Sequence, residues 1–265
     1  MIEYLRQIEE FKNVSDPVLY GIVIVGALIV LLAIFSGLVS IYLAIKYVIY
    51  NRTENSAQMN GADAARKILD DNGLNNIKVS VVGSLLFGNS YSHYFKKVRI
   101  RRLTNKKKSI TSLAIGAEKA SLAILDKEGD KDMKTRIALV PLTIFGPIAF
   151  IPLVIIGVLL DVLFFNASGT ITLVFSCLGL VFYLLSFILS LMVLKTEIKA
   201  QARALKVLKE ESLATDKELE MMKSLFKLYN IQYVNDMIMA FLEMIYRVLM
   251  IVARAQNSSS SSSNN

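Results

Sequence analysis

The sequence predicts a membrane α-helical protein with three to four transmembrane helices and a small α+β cytoplasmic segment. The 265 residues are 54% hydrophobic, and the mean hydropathy is +0.49. That is too apolar for an ordinary soluble domain of this length. Three uncharged apolar runs each reach the ~20 residues that a helix needs to cross a bilayer. Lys and Arg are concentrated in two segments, one between the first and second runs and one after the third.

The predicted spans follow one another in a simple order. The first span is 20–44, preceded by 1–19, which we expect outside the cytoplasm. The second span is 137–160 and the third is 171–194, and the short link between them predicts a hairpin. The fourth apolar segment, 231–252, contains Asp236, Glu243 and Arg247. It is either a fourth span with a polar inner face, the interpretation we favour, or an amphipathic helix at the interface.

The distribution of positive charge orients these spans in a cell membrane. Segment 45–136 contains eighteen Lys and Arg residues, and 195–230 contains eight. Residues 1–19 contain two, and the 161–170 link contains none. Because positively charged segments stay in the cytoplasm, both basic segments are predicted to be cytoplasmic and the N-terminus to be outside. The serine-rich tail, 253–265, is predicted to be disordered.

The 45–136 segment has the signals of a small folded region. Asn60 is a suitable N-cap for a helix that Gly73 ends. Alternating residues at 77–82 and 97–103 predict strands. Few charges and helical spacing of Ala, Ile and Leu at 109–125 predict a mostly buried helix. A second cytoplasmic segment, 195–230, is predicted to be helical.

The counts of His and Cys limit metal chemistry. The chain has one His, His93, and one Cys, Cys177. An internal disulfide and zinc sites of the Cys₄ or Cys₂His₂ type are therefore excluded. Zinc catalysis usually takes at least two His ligands, so the single His argues against it.

Several ordered stretches carry a family resemblance. They are Asn60–Val79, which reads N-G-A-D-A-A-R-K-I-L-D-D-N-G-L-N-N-I-K-V; Ser92-His93-Tyr94; Val98-Arg99-Ile100; the helix 109–125; Arg136 with Ala138–Pro141; and Thr196–Leu205 around Glu197. In this order and at this spacing they resemble the YugP-like family of membrane zinc metallopeptidases. The resemblance covers roughly residues 60–250 and implies a gluzincin-like helix at 109–125.

The chain departs from that family at the residues that would bind zinc. The family's helix carries H-E-x-x-H, whereas this chain has Glu118 at the first His position and Leu122 at the second. Lys119 stands at the position of the general-base Glu. Only Glu197, at the family's candidate third-ligand position, is kept. The resemblance therefore implies no catalytic residue and no expected metal, with Glu118, Glu197 and His93 as vestigial metal candidates.

Three hypotheses on function follow. The first is a catalytically inactive member, a pseudopeptidase with a structural or regulatory role, whose partner could be another membrane protein or a membrane protease. In it, Glu118, Lys119 and Glu197 form an ion-pair cluster where the metal would lie. The second is a divergent active membrane metallopeptidase that holds zinc with His93, Glu118 and Glu197.

The third hypothesis is a scaffold that binds anionic lipids. It rests on eight basic residues that would contact the lipid or a partner: Lys96, Lys97, Arg99, Arg101, Arg102, Lys106, Lys107 and Lys108. A solvated cytoplasmic face is the simpler interpretation of the same run. Nucleic-acid binding is disfavoured because no platform of interleaved aromatic residues accompanies the charge.

Overall fold

The computed structural model describes residues 2–83, 88–164 and 170–262, without the side chains of 140–151, 255 and 258–262. Its α-helices are α1 Ile2–Arg6, α2 Asp16–Arg52, α3 Gly61–Asp71, α4 Arg102–Asn105, α5 Ile110–Lys127, α6 Lys131–Phe164, α7 Thr170–Glu210 and α8 Asp216–Ser262. Its strands are β1 Lys78–Val82, β2 Ser90–Ser92 and β3 Lys97–Arg101. The chain divides into two compact units, and each is described by itself.

The first unit takes its described residues from 1–38, 142–188 and 234–265. A small core forms where Phe11, Val14 and Leu19 pack with Ala253 of α8. In the same unit α6 and α7 lie side by side, because a Cβ added at Gly157 would lie 2.8 Å from the Phe175 side chain. The Asp161 carboxylate accepts hydrogen bonds from two backbone N–H groups at the start of α7. The predicted pairing of the second and third apolar helices is thus confirmed, while residues 165–169 of their link lie outside the described residues.

The second unit, 39–141 and 189–233, contains the α+β segment. Its sheet has the order β1-β3-β2, with β1 parallel and β2 antiparallel to β3. Strands β1 and β3 were predicted from their alternation, and Val98 and Ile100 of β3 are fully buried. The short strand β2 was not predicted, because its three residues are too few to show an alternating pattern.

Helices α3 and α5 are in close contact in the second unit. Asn60 caps α3 by accepting hydrogen bonds from two backbone N–H groups, and Ser109 caps α5 in the same way with one. Both helices therefore begin where the sequence predicts. A Cβ added at Gly116 would lie 2.2 Å from the carbonyl oxygen of Gly61, so the two helices cross backbone to backbone. This contact sets where along its length α5 packs against α3.

Two described helices are long and apolar enough to cross a membrane. They are α2, with a mean hydropathy of 3.0 in its most apolar window, and α7, with 2.6. They contain the predicted spans 20–44 and 171–194. The span 137–160, in α6, remains a prediction because the side chains of 140–151 lie outside the described residues. The span 231–252, in α8, also remains a prediction, since this described segment is not among the helices apolar enough to cross a membrane. The count of three to four spans is accordingly not established, and two is what the described residues support.

The C-terminal tail differs from its prediction. Helix α8 continues to Ser262, so residues 253–262 are helical rather than disordered, and 263–265 lie outside the described residues. The physical reason lies in contacts that composition does not reveal. The backbone N–H of Ser15 donates to the Gln256 side chain at 2.9 Å, and the Asn257 amide donates to the Glu9 carbonyl at 2.9 Å. Ala253 is also buried against the N-terminal segment.

Candidate functional site

Helix α5 carries the residues that stand in the zinc-protease positions. It is surrounded on all sides, since every residue from Ile110 to Leu125 is buried except Lys119, whose side chain is only 12% exposed. Glu118 and Leu122 lie one turn apart on the same helix face. Leu122 is fully buried and offers no ligand atom, so the second His position is now part of the hydrophobic core.

Four charged side chains from three helices meet beside α5, and we name them the Lys119 cluster: Glu118, Lys119, Arg136 and Glu197. The Lys119 Nζ atom lies 3.1 Å from a carboxylate oxygen of Glu118 and 3.1 Å from one of Glu197. The second oxygen of Glu197 accepts a hydrogen bond from Arg136 of α6 at 2.6 Å. The ion-pair cluster predicted for Glu118, Lys119 and Glu197 is therefore present, with Arg136 as a fourth member.

One side-chain amide completes the polar contacts of Glu118, and a second amide pairs with the first. Its other oxygen accepts a hydrogen bond from the Gln201 side chain of α7 at 3.0 Å. Gln201 is in turn paired with Asn230 of α8 through two amide hydrogen bonds of 2.8 and 3.1 Å. Both oxygens of Glu118 are thus engaged, as a buried carboxylate requires.

The ionisation of the cluster follows from burial and from its internal charges. Burial raises the pKa of Glu118, and although the Lys119 charge opposes this, the pKa stays above its ordinary value. Burial disfavours the Lys119 ammonium, but the charges of Glu118 and Glu197 outweigh it and raise the pKa of Lys119. Burial likewise opposes the Glu197 carboxylate, but Lys119 and Arg136 outweigh it and lower the pKa of Glu197. Lys119 is consequently a cation at neutral pH.

His93 interacts with a different carboxylate. It lies in the turn after β2, where its Nδ1 atom is 2.6 Å from a carboxylate oxygen of Asp126. The Tyr91 hydroxyl donates to the same carboxylate at 2.5 Å, and the Lys96 ammonium lies 3.5 Å away. The three vestigial metal candidates are therefore not brought together. Glu118 and Glu197 both contact Lys119, whereas His93 contacts Asp126.

Zinc does not fit the residues at this position. Within 2–83, 88–164 and 170–262, no group of three or more His, Cys, Asp or Glu residues is placed to hold a metal ion. Glu118 and Glu197 supply only carboxylate oxygens, and the point between them is filled by an ammonium that contacts both. Zinc in peptidases takes three protein ligands that include His nitrogen, and a cation beside it would be repelled.

A cleft of about 820 Å³ lies against the Lys119 cluster, within the second unit. Glu118, Lys119 and Glu197 form part of its wall, with Gln201 and Asn230 beside them. Residues of α2, α5 and α7 supply an apolar lining: Leu43, Ala44, Val48, Ile115, Val193 and Leu194. The cleft keeps the shape of a binding site although its charged residues bind one another.

The eight basic residues predicted for lipid or partner contact do not form one surface feature. Arg101 lines the large cleft, whereas Lys107 and Lys108 line a smaller cavity of about 300 Å³ together with Arg52. Lys96 binds Asp126, and the Arg99 guanidinium lies 5.8 Å from the Phe95 ring centre. Lys97 lies in β3, while Arg102 and Lys106 are exposed.

Sequence reasoning missed the amides of the site and the role of Arg136. Arg136 stands in a stretch that matched the family, but nothing in its spacing indicates that it binds Glu197. Gln201 stands four residues after Glu197, one helical turn further along α7, which is the only signal that could have located it. Asn230 lies in another helix and carries no such signal.

Comparison with known proteins places these observations in a family. The sequence model of the family described as "Putative neutral zinc metallopeptidase" matches residues 25–252. No curated protein and no solved structure matches the chain significantly.

Proposed function

Because the chain belongs to the neutral zinc metallopeptidase family, we propose that it is a member without peptidase activity that has a structural or regulatory role at the membrane. One observation carries the proposal. The Lys119 ammonium lies between Glu118 and Glu197, at 3.1 Å from each, where the family's motif would place the metal and its general base.

The residues at these positions cannot perform the chemistry of a zinc peptidase. Such an enzyme needs an open coordination position for water and a base that takes the water's proton. Lys119 stands at the base position, and its raised pKa keeps it protonated, so it cannot accept a proton. At ~4 Å and an effective dielectric constant of about 20, it would repel each unit of metal charge by roughly 4 kcal/mol.

The cluster supports a structural role. Lys119 of α5 and Arg136 of α6 both bind Glu197 of α7, so three helices are joined at one carboxylate. The Glu197 side chain is only 19% exposed, which keeps solvent from replacing these contacts. Breaking a buried ion pair by removing one partner typically destabilises a protein by about 3–5 kcal/mol. The charges therefore hold the helices together without any metal.

The membrane setting is part of the proposal. Helices α2 and α7 are suited to cross a bilayer, and the predicted spans 137–160 and 231–252 would make the chain multi-pass. The excess of Lys and Arg in 45–136 supports a cytoplasmic position for the segment that contains β1–β3 and α5. In this orientation the N-terminus is outside the cell.

A regulatory role is supported by the cleft. It is about 820 Å³ in volume, enough for a small ligand or a short peptide segment, and it lies against the position that would be catalytic in a peptidase. A site that binds without cleaving suits a protein that occludes a substrate or presents it to an active membrane protease.

The direct test is metal content and hydrolysis measured on the same purified, detergent-solubilised protein. The protein would be incubated with zinc, dialysed and analysed by mass spectrometry for bound metal. Casein cleavage would then be followed with and without a chelator, beside an active zinc endopeptidase in the same detergent. We expect far less than one zinc per chain and no chelator-sensitive cleavage. Stoichiometric zinc with chelator-sensitive cleavage would overturn the proposal.

A further inference from the structure

We propose that the cleft beside the Lys119 cluster binds a single anionic phospholipid, which enters from the membrane interface. The inference rests on the proposed function, in which the cleft binds a ligand without catalysing a reaction on it. It names the class of that ligand from the position, the lining and the charge of the cleft.

Two predicted spans end beside the cleft, within helices α2 and α7. Ser40, Leu43 and Ala44 stand at the end of the predicted span 20–44, and Val193 and Leu194 at the end of 171–194. If the spans end where the sequence predicts, both helices leave the hydrocarbon at the same cleft. Glu197 stands three residues beyond Leu194, about 5 Å further along the helix. That is the depth of the headgroup layer, which extends roughly 5–7 Å beyond the hydrocarbon on each side.

The lining of the cleft combines apolar and polar side chains, as an amphiphilic ligand would require. Leu43, Val48 and Leu194 offer apolar contact for an acyl chain. Tyr229 also lines the cleft, and no hydrogen bond of its hydroxyl is found among the described residues. A free hydroxyl beside an apolar wall is suited to a lipid glycerol or phosphate oxygen.

The charge of the cleft selects an anionic headgroup. Within the Lys119 cluster, two carboxylates offset two cations. Arg101 also lines the cleft, and its guanidinium makes no ion pair within the described parts of the chain. Arg101 is therefore the cation of the cleft whose charge no carboxylate offsets. Guanidinium groups bind phosphate through paired N–H donors.

The experiment uses the full-length protein in mixed micelles and counts bound lipid by native mass spectrometry. Phosphatidylglycerol and phosphatidylcholine with the same acyl chains would be titrated separately, and inorganic phosphate would be added in a third arm. We expect one phosphatidylglycerol per chain to be retained at least fivefold more tightly than phosphatidylcholine. Phosphate alone should not displace it, because the acyl chain contributes to binding.

Two pairs of variants locate the site. Arg101→Gln should weaken phosphatidylglycerol binding about fivefold, the effect of roughly one basic residue near a lipid surface. Its control, Lys227→Gln, removes the same charge from an exposed residue that does not line the cleft, and should leave binding unchanged. Val48→Trp should fill the cleft and abolish the stoichiometric lipid. Ile49→Trp, at a neighbouring position that is equally exposed but outside the cleft, should keep it.

The outcomes that would overturn the inference are distinct from those that bear on peptidase activity. Equal retention of both lipids, equal weakening by Arg101→Gln and Lys227→Gln, or a peptide mass bound in place of lipid would each contradict it. Hydrolysis of casein is measured on the same preparation. Chelator-sensitive cleavage would contradict the proposed function, whereas absent cleavage without selective lipid binding would contradict the lipid assignment alone.

Discussion

Lys119 and Glu197 stand 78 positions apart in the chain, and their Nζ and Oε2 atoms lie 3.1 Å apart. The contact joins α5, the helix in the zinc-protease position, to α7, the helix that continues from the third predicted span. Glu197 binds Arg136 as well, so its carboxylate serves two cations at once. Most of the predictions below test this arrangement or the fold that positions it.

Removing the charge of Glu197 should destabilise the protein. We expect Glu197→Gln to lower the free energy of unfolding by about 3–5 kcal/mol, because it leaves two largely buried cations without their shared carboxylate. Denaturation in detergent, followed by circular dichroism, would measure this. Glu210→Gln on the same helix removes an exposed pair with Lys206, and should change stability by less than about 1 kcal/mol. Equal effects of both variants would show that the cluster has no structural role.

Restoring the family's motif should restore metal binding. The triple variant Glu118→His, Lys119→Glu and Leu122→His would place two imidazoles one turn apart and remove the repelling ammonium, with Glu197 available as a third ligand. We expect this variant to retain about one zinc per chain after dialysis, while the unmodified protein retains far less. Lys119→Glu alone is the control and should not bind zinc, since it adds no imidazole. Zinc binding equal in the triple variant and in the control would contradict the assignment of these positions.

Replacing Gly116, which contacts Gly61, by any residue with a side chain should destabilise the protein. A Cβ at Gly116 would lie 2.2 Å from the Gly61 carbonyl oxygen, so Gly116→Ala must push α5 away from α3. We expect a loss of about 3 kcal/mol or more in the free energy of unfolding. Gly37→Ala is the matched control, because a Cβ there meets nothing within 4 Å. A thermal midpoint equally unchanged in both variants would mean that the helices do not approach this closely.

Stability should fall in acid through Asp126. Burial opposes ionisation of its carboxyl, but hydrogen bonds from Tyr91 and His93, with the nearby charges of His93 and Lys96, outweigh it and lower the pKa of Asp126. A carboxyl whose pKa is lower in the folded state stabilises it above the unfolded pKa, about 3.9, and this is lost as the pH falls through the folded pKa. The unmodified protein should therefore melt above Asp126→Asn at pH 6, and the difference should shrink below about pH 4. A difference independent of pH would contradict this account.

The orientation of the chain can be measured with single cysteines. In a background of Cys177→Ser, which removes the native cysteine, Asn13→Cys and Lys106→Cys place exposed thiols in the N-terminal and basic segments. We expect a membrane-impermeant maleimide to label Asn13→Cys in intact cells and to label Lys106→Cys only after the membrane is permeabilised. The reverse pattern would invert the topology that the positive charges predict.

Local signals explain which parts of the fold could be predicted. Asn60 and Ser109 cap helices that begin where the sequence indicates, because a cap is a matter of a few neighbouring residues. The pairing of β1 with β3 brings together strands separated by β2, and local alternation carries no information on that order. The helical tail through Ser262 depends on contacts of Gln256 and Asn257 with the N-terminal segment, which composition cannot reveal.

The candidate site was predictable to a similar extent. The positions of Glu118, Lys119 and Glu197 came from matching an ordered set of stretches, and their charges indicated that they would attract one another. Arg136 and Asn230 joined the site through the packing of α6 and α8, which depends on tertiary structure. The partner of His93 could not be predicted. His93 is the one His of the chain, and it contacts Asp126, which lies near the C-terminal end of α5, far from the Ser109 cap.

The cation in the Lys119 cluster is a side chain of the protein itself, and this affects how the protein becomes stable. A zinc enzyme exists in empty and loaded forms, and the bound metal adds to the stability of its folded state. Here the positive charge between α5 and α7 is part of the polypeptide and is present as soon as the chain is synthesised. We expect the abundance of this protein in cells to be independent of zinc starvation, unlike that of an enzyme that must acquire its ion to become stable.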